Sequence, residues 1–181
     1  MEYIFWAICF FWWGMDIYLV VFKNRGDHRV SERKSKFIMT FLIFTGVLLA
    51  IVPESFRSIW RTREFGLFQI IGTGVLAAGV LIRFLSVLTL GKHFAADIGV
   101  HREKELVTDG LYRWIRHPSY TGEIVAFLGV GLVFQHIPAS FFITILPAAA
   151  FIYRAIVEEK MLLEEFGAEY EEYKKRTRMF I

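Results

Sequence analysis

Two short constellations hold the side chains best suited to chemistry in this 181-residue chain. The first is Arg116-His117-Pro118-Ser119-Tyr120. A residue ahead of proline is pushed away from helical angles, so His117 is expected to project from a bend, ringed by Arg116 and Tyr120. A histidine so placed, at the mouth of an apolar helix, reads as a functional group rather than a core residue. The second is Arg154 and Glu158, four residues apart and therefore on one helix face, with Glu159 about 100° away around the axis. One reading of this pair is an exposed salt bridge worth under about 1 kcal/mol. Against it, Arg154 follows seventeen uncharged residues. Its guanidinium then sits at the depth of lipid headgroups, where it suits an anionic group on a lipid-like molecule.

The elements that must position these residues follow from the distribution of charge. The chain is 55% hydrophobic and 17% aromatic, yet 22% of it is charged. Both can hold only if polar and apolar residues are sorted into blocks. Five apolar runs do this: residues 3–22, 37–52, 65–90, 124–134 and 137–153. Within them the only Asp, Glu, Lys or Arg are Asp16 and Arg83. A bilayer core about 30 Å thick asks for roughly 20 apolar residues of helix. The expectation is an all-α polytopic membrane protein of about five transmembrane helices, in contact with the lipid bilayer, and a soluble single domain is excluded. The segments between the runs are too short for a soluble nucleotide-binding domain.

Basic residues set the expected orientation. Six Lys and Arg lie at 23–36, five at 91–120 and six from 154 onward, against three (Arg57, Arg61, Arg63) on the alternate side. The positive-inside rule then puts the N-terminus outside and the C-terminus in the cytoplasm, consistent with five crossings and a multi-pass protein whose active face is cytoplasmic. The fourth run is short, so runs four and five read as a tight helical hairpin turned near Gln135 and His136. Pro147 is expected to kink the fifth helix. Gly74 and Ala78 have the small-xxx-small spacing of close helix packing. Gly72-x-Gly74 is no dinucleotide fingerprint, because no strand precedes it. Residues 1–22 read as a retained anchor rather than a cleaved signal. Asp16 and Arg83 read as a structural pair or as snorkelling side chains, with lining of a polar cavity as the alternative. Cys9 alone makes neither a disulfide nor a zinc cluster. Neither a metal nor nucleic acid is expected as a partner. Gly167 reads as a helix C-cap, and residues 169–175 as a short surface helix with Tyr170 and Tyr173 toward the interface. As domains, 1–181 is one membrane unit: 1–90 carries three spans, and 91–181 the cytoplasmic connector, hairpin and tail that form the catalytic part.

The string Leu106-Val107-x-x-Gly110-x-Tyr112-x-x-x-Arg116-His117-Pro118-x-Tyr120-x-Gly122, followed by Arg154-x-x-x-Glu158-Glu159-x-x-Leu162, resembles the isoprenylcysteine carboxyl methyltransferase and phospholipid methyltransferase family. The likeness runs from about Leu90 to the C-terminus, and the first two spans are generic. It implies S-adenosylmethionine held by the segment Lys104, Glu105, Leu106 and Val107, by Tyr112, by His117, Pro118, Ser119 and Tyr120, and by Glu158. It also implies Arg154 facing a lipophilic, prenylated methyl acceptor, so that Arg154 and Glu158 carry the catalysis. Lys104 departs from the His that eukaryotic members tend to have. A carboxylate acceptor needs no general base, whereas an amine must lose a proton to Glu158, Glu159 or His117. The sequence leaves both open. Two other classes stay in view: an NADPH-dependent membrane sterol-type reductase, whose ribose phosphate would need a basic cluster from Arg102, Lys104, Arg113 and Arg116, and a non-catalytic membrane scaffold.

Overall fold

The computed structural model describes residues 2–22, 33–51, 66–91, 106–134 and 137–180. Six helices carry nearly all of them: α1 (Glu2–Phe22), α2 (Arg33–Ile51), α3 (Leu67–Leu90), α4 (Pro118–Phe134), α5 (Ile137–Phe166) and α6 (Ala168–Arg176), with a 3₁₀ turn at Gly110–Arg113. Among the described residues the one β-type contact is an isolated parallel bridge between Ile115 and Arg178. By length and composition α3 and α5 can cross a membrane, and α4 is a shorter apolar helix. Large apolar side chains face outward along the bundle, among them Phe10, Trp13, Phe41, Phe44, Phe68, Leu81 and Leu88, while Glu123, Arg154 and Gln69 are buried. An apolar exterior around polar interior groups suits hydrocarbon surroundings better than water.

Contacts fix the direction of each helix. Gly72 of α3 faces Gly129 and Val133 of α4, while Gly79 faces Gly122 and Ala126, so α3 and α4 are antiparallel. In α4 and α5, Ser140 Oγ donates to Gly131 O (2.5 Å) near the turn, and Tyr120 meets Phe151 at the other end, which is the antiparallel hairpin. Gly46 of α2 lies against Phe142 and Pro147, and Ala50 clusters with Ala139 and Ile143, so α2 opposes α5. Trp12 stacks edge-on against Phe127 (centroids 5.0 Å apart), and Phe5 shares a cluster with Val133, so α1 opposes α4. Directions therefore alternate through the five long helices among the described residues. The C-terminal ends of α1 and α3, the start of α4 and the later turns of α5 gather at one end of the bundle.

The closest helix pair is α3 with α4, and glycine makes it possible. A Cβ on Gly72 would stand 2.8 Å from Gly129 O, and one on Gly122 would stand 2.7 Å from Gly79 O. Backbone contact of this kind supplies packing that a lipid-facing interface cannot obtain from the hydrophobic effect. The interface uses Gly72, Gly79, Gly122 and Gly129 rather than the expected Gly74 and Ala78: a Cβ on Gly74 would meet nothing within 4 Å. The face was set by the 3.6-residue period relative to α4, which spacing within α3 alone does not reveal.

Two further expectations are corrected, at the start of the fourth helix and in the tail. The fourth helix starts at Pro118, not near Ile124, so it includes Glu123, which is 2% exposed. Proline occupies the first helical position, where its missing N–H is no loss. The fifth helix, with Pro147 inside it, runs past Tyr153 to Phe166, in line with the shared face of Arg154 and Glu158 and the expected cap at Gly167. Gly167 (φ 50°) then turns the chain into α6, its N–H donating to Leu163 O at 2.9 Å. Tyr170 and Tyr173 of α6 point inward and are buried rather than lying at an interface.

Candidate functional site

The site is built on the first turn of α4. His117 supplies the helix's first acceptor, its carbonyl taking Thr121 N–H at 2.9 Å and Thr121 Oγ1 at 3.0 Å. The bend before Pro118 does orient the imidazole, but inward: His117 is 5% exposed. One turn of helix places Tyr120 beside it, the rings stacked 5.6 Å apart and 5° from parallel. Phe180 lies 6.0 Å from the imidazole, and Phe151 of α5 lies 5.6 Å from the Tyr120 ring. The result is a group of aromatic rings with polar edges.

Arg154 and Glu158 reach this group from α5. Arg154 Nε donates to the Tyr120 hydroxyl (3.1 Å), which donates to Glu158 Oε2 (2.8 Å). Arg154 is 3% exposed, so the reading of an exposed Arg154–Glu158 pair is replaced by a relay through Tyr120. His117 Nδ1 stands 3.9 Å from Glu158 Oε2. The proline-bent histidine and the arginine thus share one neighbour and one end of the bundle.

Glu159, next on the helix, serves the other edge of His117. Its Oε1 accepts from Arg116 Nε at 2.6 Å and lies 3.5 Å from His117 Nε2, while Oε2 pairs with Lys174 Nζ at 2.8 Å. At 3.5 Å the imidazole nitrogen is only weakly satisfied although buried. Burial alone would raise the Glu159 carboxyl, but the neighbouring nitrogens of His117, Lys174 and Arg116 hold it well below the usual carboxylate range. Arg116 Nη1 also donates to Thr177 O (2.5 Å). Backbone bonds complete this seam: Arg116 N–H to Arg178 O (2.8 Å), His117 N–H to Met179 O (3.3 Å), and Arg178 N–H to Trp114 O (3.0 Å). The C-terminal segment therefore runs beside residues 114–117 and brings Phe180 to the imidazole.

Tyr112 is buried in the 3₁₀ turn, whose Gly110 (φ 56°) approaches Thr89 near the end of α3. Tyr112 O accepts from Tyr173 OH at 2.6 Å. Burial first, and then the Glu158 charge, push the Tyr112 phenol well above its usual value. Burial raises the Tyr173 phenol to about 12, against the lowering effect of Arg116 and Arg176, so it remains a hydrogen-bond donor.

On the far side of the first turn, Arg83 Nη1 donates to Ser119 Oγ (2.9 Å), and Nε and Nη2 reach Asp16 Oδ1 at 2.8 and 2.7 Å. Arg83 also ion-pairs with Glu123, whose Oε1 lies 3.4 Å from Trp12 Nε1. Asp16 and Arg83 are accordingly paired, not snorkelling.

Of the residues singled out in the sequence, Tyr112, His117, Pro118, Ser119, Tyr120, Arg154 and Glu158 gather at this end. Leu106 and Val107 are half-buried ahead of the 3₁₀ turn, and Lys104 and Glu105 lie outside the described residues. Sequence reading missed Glu123, the Arg116–Glu159 pair and the tail from Thr177 to Phe180. A Glu at the edge of an apolar run is easily trimmed off as a boundary, yet its place three residues after Tyr120, on the helix opened by Pro118, was a usable signal.

A family model described as phospholipid methyltransferase matches residues 67–169. The protein-S-isoprenylcysteine O-methyltransferase of Schizosaccharomyces pombe is 31% identical over 115 residues, which are 62% of this chain and 49% of that protein. A probable protein-S-isoprenylcysteine O-methyltransferase of Oryza sativa subsp. indica is 30% identical over 141 residues, 77% of this chain and 71% of that protein. The chain thus spans about half the length of the first relative and 71% of the second. Among solved structures, the eukaryotic intramembrane Ras methyltransferase (isoprenylcysteine carboxyl methyltransferase) aligns with a TM-score of 0.57 at 23% identity, covering 82% of this chain and 52% of that one. The helical arrangement is therefore shared with an intramembrane enzyme.

Proposed function

The chain belongs to the phospholipid methyltransferase family, and from that premise we propose that it transfers a methyl group from S-adenosylmethionine to a carboxylate on a lipophilic, isoprenylcysteine-like acceptor. The observation that carries this reading is the relay from buried Arg154 through Tyr120 to Glu158, with Tyr120 stacked on His117. A guanidinium at the acceptor side favours an anion and repels a protonated amine, so O-methylation is preferred over phospholipid N-methylation. The isoprenylcysteine O-methyltransferases among its relatives support the same acceptor class.

The side chains fit the donor. Stacked aromatic faces suit a sulfonium cation, and Glu158 and the edge of His117 offer polar partners to an amino-acid or ribose portion. Tyr112, His117, Pro118, Tyr120 and Glu158 would hold it, together with Lys104, Glu105, Leu106 and Val107 and with the backbone of Ser119, whose hydroxyl is engaged by Arg83. When bound, the sulfonium supplies a methyl group activated for in-line displacement. The protein's work is then orientation and exclusion of water rather than proton transfer. Arg154 orients the acceptor carboxylate, Tyr120 fixes Arg154 against Glu158, and Glu159 with Arg116 fixes the imidazole.

A reductase is less well supported. Of the basic residues that a 2′-phosphate would require, Arg116 is committed to Glu159 and Thr177, and Arg113 is exposed with its guanidinium 5.7 Å from the Trp114 ring. The alternating directions of the described helices and the uneven sharing of Lys and Arg between the segments that join the apolar runs support five crossings, an outside N-terminus and a cytoplasmic active face. Incubation of the reconstituted chain with methyl-labelled S-adenosylmethionine tests the proposal. Label in a farnesyl-cysteine analogue, released by mild base as expected of an ester, supports it; label only in phosphatidylethanolamine, or none in either, refutes it.

A further inference from the structure

Resting on the methyltransferase reading, we propose that Arg83 is a positioning residue for the site, gripped by Asp16 and Glu123 from two other helices and acting through Ser119 on the first turn of α4. Isolated charges within an apolar bundle are expensive, and a bundle packed by glycine backbone contact does not need them for cohesion. Here one guanidinium meets two carboxylates and a hydroxyl: Asp16 Oδ1 at 2.7 and 2.8 Å, Glu123 in direct contact, and Ser119 Oγ at 2.9 Å. Those partners come from α1 and from two positions one turn apart on α4, so the orientation of the guanidinium is fixed from several sides.

The geometry couples this cluster to the site. Ser119 sits between His117 and Tyr120, so rotation of the first turn that releases Ser119 also displaces the Tyr120 hydroxyl. That hydroxyl has two partners on α5, Arg154 at 3.1 Å and Glu158 at 2.8 Å, distances with little room for movement. Apart from a long hydrogen bond from Trp12 Nε1 to Glu123 (3.4 Å), itself part of this cluster, α1 meets the bundle through rings, among them Trp12 on Phe127 and Phe11 on Phe84 (centroids 6.0 Å apart), contacts that tolerate sliding. The Arg83 cluster therefore sets the register of α1 and α3 against the turn that carries the chemistry.

The test uses the full chain in lipid nanodiscs, with S-adenosylhomocysteine titration and steady-state kinetics for the parent, Arg83→Met, Arg83→Lys, Ser119→Ala and the Arg83→Met/Ser119→Ala double variant. Arg83→Met is expected to weaken S-adenosylhomocysteine binding and raise the KM for S-adenosylmethionine by about tenfold, the scale of losing a charged hydrogen bond. Arg83→Lys should recover part of that loss, and the double variant should be no worse than Arg83→Met alone, because both break one connection. Folded Arg83→Met with unchanged cofactor KM overturns the inference, as do effects that multiply in the double variant. If Arg83→Met does not fold, Asp16→Asn carries the same test: a raised cofactor KM supports the inference and an unchanged one overturns it. A parent protein that neither binds S-adenosylhomocysteine nor transfers methyl groups overturns the methyltransferase reading instead.

Discussion

Tyr120 is the residue on which the site turns. Its hydroxyl accepts from Arg154 and donates to Glu158, while its ring stacks on His117. Removing the hydroxyl with Tyr120→Phe keeps the stack and breaks both hydrogen bonds, so kcat/KM is expected to fall by about 10- to 100-fold, with purified yield little changed. Arg154→Ala removes a buried charge from its partners, a change that costs about 2–5 kcal/mol in comparable pairs. The acceptor KM should rise far more than the S-adenosylhomocysteine Kd, and equal losses in both would place Arg154 on the donor rather than the acceptor. Much of this was legible: proline chemistry marked His117, and four-residue spacing marked Arg154 with Glu158. The role of Glu159 was not, because its partners Arg116 and Lys174 come from segments 43 and 15 positions away.

Glu159 also has a pH signature. Its carboxyl is held below the ordinary value near 4.5, so the stability it contributes is fully present above that pH and is lost as pH falls through the lower folded value. Thermal unfolding should therefore show a Glu159-dependent loss of stability only below about pH 4.5, which Glu159→Gln removes. A loss that begins near neutrality and persists in the variant would assign the titration to another group.

Among the elements, the α3–α4 pair and the C-terminal seam do the positioning. Gly79→Leu would drive a side chain into the backbone of Ala126 and Gly122, and overpacking of this sort costs about 1–3 kcal/mol or more. Gly74→Leu, on the open face of the same helix, should be tolerated; equal loss of folded yield in both variants would contradict the assigned face. Apolar run lengths pointed to the helices, while the connection expected at Gln135 and His136 lies outside the described residues. They did not give the packed face, which depends on the rotation of α3 about its own axis, nor the pairing of residues 114–117 with the tail, which depends on α6 folding back at Gly167. Deleting the last five residues removes the acceptors for Arg116, His117 and part of the ring group, and should weaken S-adenosylhomocysteine binding while leaving the α3–α4 core folded.

At the scale of the molecule, the five long helices among the described residues alternate in direction, deliver buried charge to one end and leave apolar rings along the outside. Block segregation of charge made the all-helical class readable in the sequence. The inward polar network was less readable, since Glu123 resembles a loop residue until Pro118 is seen to open the helix. Such an arrangement suits the proposed reaction, in which a water-soluble donor and a lipophilic acceptor need a polar site beside a lipid-accessible flank. The Tyr120-centred end of the bundle is the proposed binding site of the methyl donor. Calorimetric titration of the nanodisc-embedded chain with S-adenosylhomocysteine, run in parallel with NADPH and with His117→Ala, is the deciding experiment. Saturable one-to-one binding of S-adenosylhomocysteine alone, abolished by His117→Ala, is the expected result; binding that survives His117→Ala, or heat only from NADPH, would contradict it.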